Sequence, residues 1–343
     1  MTSGEKSPSG LTGLFLPALT LIAGFGVYFL LFRFLVDPLN PDPAILAPLE
    51  PAFLWETDVV DKAEIIAIEL EARYAFAIPS VLISLVFLAA LIVGFGQVLP
   101  QFGRLAIGLG AAALPAGAVI GYFEQHHNPV RALVADCAQA SGKADCPLDQ
   151  AVQRMPEGWL FDAAALDQIR FLVSYNSALS VAAIGLIGVC ALFVARTVPA
   201  NHLDPDYLNR RRIGLETMLV VVGPLLVFSA ATTHGFYNFS GSLMAPELAE
   251  DFRHLASSGT AYWGAVYSTV LIVATAPAIV SVSRDGIRAS RAALPDGTFA
   301  ERQAWRQAQG VEIALKEKLR LAVAILGPAL TAPVLDMVRR IVQ

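Results

Sequence analysis

FLVSYNSALSVAAIGLIGVCALFVA, residues 171–195, contains no Asp, Glu, Lys or Arg. A helix rises about 1.5 Å per residue, so this stretch outreaches the roughly 30 Å hydrocarbon core of a bilayer. A water-facing helix needs a charged face, and none is present. In lipid every backbone N–H and C=O must be bonded within its own segment, which a helix achieves. The solvent of this segment is therefore lipid.

Working outward, five further blocks are similarly long and apolar, with Arg33 and Glu216 as their only charged residues: 11–35, 74–99, 105–122, 213–232 and 260–282. Over the whole chain of 343 residues, 55% are hydrophobic and 15% charged, with a mean hydropathy of +0.58. Soluble domains carry about 25% charged residues. The sequence thus predicts an all-α, polytopic transmembrane bundle with six spanning helices. Prolines at Pro17, Pro79, Pro115, Pro224 and Pro277 fall inside these blocks, where neighbouring helices can satisfy the backbone groups they free. Gly108, Gly110 and Gly117 make the third block narrow and suited to close helix contact. The first block far exceeds the roughly 7–15 apolar residues of a signal-peptide core and reads as a retained anchor.

Segment 321–338 is also apolar but contains Pro328, Pro333 and Asp336, and Arg339 and Arg340 follow it. It reads as an interfacial or half-inserted helix behind a charged cytoplasmic one, together forming a unit over 283–343. A seventh span is the alternative. A short tail, 1–10, precedes the membrane domain of 11–282.

Placing the N-terminus in the cytoplasm puts sixteen of the 24 lysines and arginines inside, the Arg210-Arg211-Arg212 run among them, as the positive-inside rule requires. Large extracytoplasmic loops then cover 36–73, 123–170 and 233–259. Amphipathic approaches lead into three spans, each with an acid shortly before an arginine: Glu71 and Arg73, Asp167 and Arg170, Asp251 and Arg253. They suggest three related hairpins, or simply arginines snorkelling at the interface. Low Lys with high Ala, Leu and Arg usage points to a GC-rich bacterium and hence its cytoplasmic membrane.

Cys137 and Cys146 share the second outer loop and are expected to form a disulfide in an oxidising compartment; Cys190 reads as a small packing residue. A net charge of −5 with no basic patch argues against a nucleic-acid partner. The phosphate-binding loop, the GxSxG elbow and the HExxH motif are all missing from the sequence.

Ionisable residues inside a span are functional suspects, and only Glu216 stands out; its plain reading is an interfacial carboxylate paired with the arginine run. Polar and aromatic residues gather in the outer halves of three spans: Tyr175 and Asn176, Thr233 and His234, then Tyr262, Tyr267, Ser268 and Thr269. They outline a ligand pocket or pore lining, against the simpler account of an aromatic belt with interhelical hydrogen bonds. Glu124, His126, His127, His234 and His254 sit at one depth and form a candidate metal or haem site, although their spacing matches no known motif.

The leading functional expectation is a non-enzymatic channel- or transport-like protein, or an integral subunit of a larger membrane assembly, in contact with lipid and with copies of itself or other subunits. A membrane-embedded metal- or haem-binding redox enzyme with its site at the outer face is the alternative.

Overall fold

A computed structural model describes residues 53–57, 60–126, 147–155, 163–196, 198, 203–312 and 315–342. The expected first span, 11–35, lies outside them, as do His127, Cys137 and Cys146; of Glu124 and His126 only the helical backbone is described.

Helix α1, Lys62–Val93, starts where the Asp61 carboxylate accepts the Glu64 N–H at 2.9 Å, a side-chain cap for an otherwise orphaned donor. It passes through a π turn, Gly94–Val98, and a 3-10 turn, Leu99–Phe102. Gly103, at φ +87°, then reverses the chain in a conformation that favours glycine. Helix α2, Arg104–His126, returns. The short α3, Pro147–Arg154, precedes the long α4, Ala163–Ala195, α5, Pro205–Ser242, and α6, Pro246–Ala293. Helix α7, Phe299–Ala308, is short and charged; α8, Leu315–Val342, closes the fold.

Among the described residues six helices are long and apolar enough to cross a membrane, their spans covering Lys62–Phe102, Arg104–Phe123, Ala164–Ala195, Pro205–Ser242, Leu248–Ala293 and Glu317–Val338. No strand forms among the described residues; one isolated bridge joins Phe53 to Met244. The protein is therefore an all-α, multi-pass membrane protein.

Helix α4 is the central pillar, with 78% of its apolar window buried against 22% for α1 and for α2. Helix α2 lies along α4, and glycine permits the close approach. A Cβ on Gly117 would fall 2.7 Å from the Ala182 Cα, and one on Gly121 would fall 2.6 Å from the Ser177 carbonyl. Gly108 meets nothing, so only part of the expected glycine face is used. Helix α1 packs on α5, which in turn packs on α6.

The approaches to α1, α4 and α6 continue the spans without a break. Their arginines do not repeat one pattern, however. Arg73 holds Glu69 rather than Glu71, at 2.5 Å; Arg170 holds Asp167 at 3.4 Å; Arg253 donates to the Ala249 carbonyl at 3.1 Å. Nothing in these contacts marks three related hairpins.

The apolar C-terminal stretch forms one continuous helix, α8, against α5 and α6. Two of the features that argue against a span, Pro328 and Asp336, are accommodated. Pro328 interrupts the helical ladder, and the nearby Ala329 N–H donates to Ser268 Oγ at 3.1 Å. Gly264 leaves room for the Pro328 carbonyl, and Gly223 does the same for Ala324. Asp336 accepts the Ser257 hydroxyl at 2.7 Å. Sequence alone does not reveal these partners because they come from another helix.

Candidate functional site: a polar chamber between the central helices

The two ends of the bundle differ. At one end, Arg211 of α5 is buried, with 1% of its side chain exposed against 3% for its partner Asp285 of α6, 2.9 Å away. Its Nη2 donates to the carbonyls of Val194 and Arg196 at the end of α4. Ser281 donates to the Ala195 carbonyl at 3.1 Å, and Arg288 to that of Val198 at 3.1 Å. The last carbonyls of α4 have no intrahelical donors and carry the negative end of its dipole, so cations and hydroxyls from neighbouring helices satisfy both needs. Beside this joint, Arg212 bridges Glu216 at 2.9 Å and Glu317 of α8 at 2.7 Å. Glu216 thus belongs to an ion-pair network. Asp285, which lies just past the expected sixth span, is more deeply buried than Glu216, with 3% of its side chain exposed against 18%.

Towards the opposite end, four helices bring hydroxyls and one amide together. Ser80 of α1 donates to the Phe76 carbonyl at 3.1 Å, which leaves its lone pairs to accept the Asn176 amide at 2.7 Å. That assignment fixes the carboxamide: Nδ2 points to α1, and Oδ1 points away. Asn176 is 3% exposed, and its Oδ1 has no partner among the described residues. One turn on, Ser180 lies 2.8 Å from the Asn176 carbonyl and 2.9 Å from Ser229 Oγ of α5. Ser229 is in turn 3.0 Å from the Tyr267 hydroxyl of α6. The result is an unbroken run of hydroxyls across three helices.

Asn176, Ser229 and Tyr267 from this network join Ser177, Thr232 and Thr233 in lining a cavity of about 30 Å³. Phe76, Phe236 and Trp263 supply apolar wall. A water needs roughly 10–15 Å³ measured this way, so the space admits about two waters or one bare ion and no organic solute. Both threonines turn their hydroxyls back to the Ser229 carbonyl, at 2.7 and 3.3 Å. The described lining presents neutral oxygens and no carboxylate. Such a site can hold water, pass a proton along hydroxyls, or ligate a monovalent cation.

Of the residues singled out from sequence, Asn176, Thr233 and Tyr267 meet here. Tyr175 instead takes the Ser84 hydroxyl at 3.3 Å on the α1 side. Ser268 serves the α6–α8 joint, and Thr269, about 200° round the helix from Tyr267, faces elsewhere. Tyr262 stands edge-on to Trp263, their ring centroids 5.5 Å apart. Half-buried His234 and exposed His254 remain as described members of the proposed metal set; no group of three or more ligand-type side chains converges among the described residues. Sequence reading missed Ser80, Ser180 and Ser229. Their one signal is spacing: Ser80 with Ser84 and Asn176 with Ser180 recur at i, i+4 on the inward face of apolar helices.

No protein family, characterised protein or solved structure matches this chain; its own residues establish it as a multi-pass α-helical membrane protein.

Proposed function

We propose that this chain is a non-enzymatic channel- or transport-type protein of a bacterial cytoplasmic membrane, N-terminus inside, whose polar chamber receives a water-sized polar species. One observation carries the reading: Asn176 lines the chamber, and its carboxamide oxygen is buried and unpartnered among the described residues. A buried acceptor left without a donor costs about 1–3 kcal/mol. A water or an alkali cation in the chamber removes that cost. The neutral oxygens around it suit such a guest and would hold a divalent ion poorly. The arginine-rich end faces the cytoplasm in this reading, following the positive-inside rule. An apolar layer that includes Met218, Val222, Leu225 and Leu226 lies between that end and the chamber. Passage therefore requires the helices to shift, and Pro224 interrupts α5 within this layer.

The second reading, an integral subunit or homo-oligomer, is favoured by the exposed row Ile78, Val81, Leu85, Leu88 and Ile92 on α1. Its spacing is that of a heptad seam, a geometry suited to another helix.

The test is flux through proteoliposomes of the purified protein, read separately for Na⁺, K⁺, protons and water. The wild type should exceed protein-free vesicles for at least one species, and Asn176→Leu and Ser229→Ala should lower that flux. Wild-type flux equal to empty vesicles for all four would overturn the transport reading and leave the subunit one.

A further inference from the structure

A second cavity, of about 460 Å³, opens between α6, α7 and α8 at the arginine-rich end. Its walls are apolar: Ile279 and Val282 from α6, Leu321 and Ile325 from α8. Helices elsewhere in the bundle approach to the limit that glycine allows, so a gap of this size between apolar faces is out of character. Filled with water it would wet side chains that gain roughly 25 cal/mol for every Å² kept dry. An apolar occupant removes that penalty.

The mouth is charged. Arg306, Glu312 and Lys318 line it. Arg306 is committed: its Nε lies 3.5 Å from Glu312 and its Nη1 donates to Ser290 at 3.3 Å. Gln303 adds a contact to the other Glu312 oxygen at 3.4 Å. Lys318 is exposed and pairs with no carboxylate among the described residues. Among the described lining residues, two cations and one carboxylate leave a single positive charge, and with Arg306 committed to Glu312 it falls to the exposed Lys318. The cavity also straddles a boundary in depth. Ser283 and Arg284 end the apolar run of α6 there, and Leu321 begins that of α8. This is the level at which a lipid exchanges its acyl chain for its phosphate.

We propose that this cleft is a binding site for one anionic phospholipid, its acyl chain laid along Ile279, Val282, Leu321 and Ile325 and its phosphate held by Lys318. Basic pockets between membrane helices commonly recognise anionic headgroups in this way. A free phosphate would leave the apolar walls wet, and a neutral lipid would leave Lys318 unmatched. The site stands apart from the polar chamber and does not depend on the transport reading.

The experiment uses the full chain, purified in mild detergent and delipidated. Native mass spectrometry counts bound lipid while thermal unfolding is followed with phosphatidylglycerol, phosphatidylcholine or inorganic phosphate added. Phosphatidylglycerol should be retained at one per chain and raise the melting temperature; the other two should not. Lys318→Glu should weaken phosphatidylglycerol retention at least about tenfold, given about 1 kcal/mol per basic charge at such a surface. Ile325→Trp, which fills the cleft, should abolish retention. Equal effects of the two lipids, or an effect of phosphate alone, would overturn the proposal without any variant. So would full retention by Lys318→Glu, or loss in that variant with retention in Ile325→Trp, which would mean surface adsorption of the headgroup.

Discussion

Removing the Asp285 carboxylate is the sharpest perturbation available at the α4 terminus. Breaking a buried ion pair by deleting one partner typically costs about 3–5 kcal/mol, because the other charge stays buried and uncompensated. Two features move Asp285→Ala towards the low end of that range. Arg211 keeps the carbonyls of Val194 and Arg196 as acceptors. Arg288, which also holds Asp285 at 3.0 Å, is 34% exposed, so water screens its lost partner. The expected loss is roughly 3 kcal/mol. Asp285→Asn, which keeps an acceptor and the shape but not the charge, should lose about half as much. Equilibrium unfolding in mixed micelles of neutral detergent and rising dodecyl sulfate, followed by tryptophan fluorescence, measures both. A double-mutant cycle with Arg211→Met should return a coupling of about 2 kcal/mol, within the range for directly bonded pairs. A cost below about 1 kcal/mol for Asp285→Ala, or no coupling, would refute the claim that this pair is desolvated.

Two further outcomes follow from local geometry. Gly121→Ala should destabilise by about 1–3 kcal/mol in the same titration, since its Cβ would press on α4, whereas Gly108→Ala, with open space around it, should be neutral or stabilising by roughly 0.5–1 kcal/mol. At the start of α7, the Thr298 backbone N–H and hydroxyl hold the Glu301 carboxyl below the usual carboxylate range. A lowered folded value means the cap is complete above the ordinary glutamate pKa of about 4.3 and is lost as pH falls through the lower folded one. Amide protection in the first turn of α7, corrected for intrinsic exchange, should be flat from neutrality to about pH 5 and fall only below about pH 4. Glu301→Gln should remove that dependence. A fall already between pH 7 and 5 would contradict it.

The apolar runs made the bundle legible, because run length against bilayer thickness is a one-dimensional property. Helix ends were less so. Helix α6 continues past Val282 to Ala293 through Arg284, Asp285 and Arg288, residues that read as a solvated segment. The structure shows that Asp285 is buried there by a partner on α5, which no local pattern encodes. The same reason hid most of the hydroxyl network beside the chamber. Asn176 and Tyr267 stood out by residue type, but Ser80, Ser180 and Ser229 are common residues in apolar helices, and only the crossing of α1, α4, α5 and α6 turns them into a connected run. Thr269 and Tyr262 were grouped with them by proximity in sequence, and helical rotation separates them.

The continuous helix α8 has a consequence of parity. If each of the six candidate spans described between Lys62 and Val342 crosses, their even number returns the polypeptide to the face from which it set out. A reporter fused after Gln343 and one inserted near Asp61 should then give the same signal, and one placed in the turn at Gly103 the reverse. Had α8 lain flat on the surface, the first two would disagree. Three fusions would thus decide which compartment sees the arginines at 339 and 340.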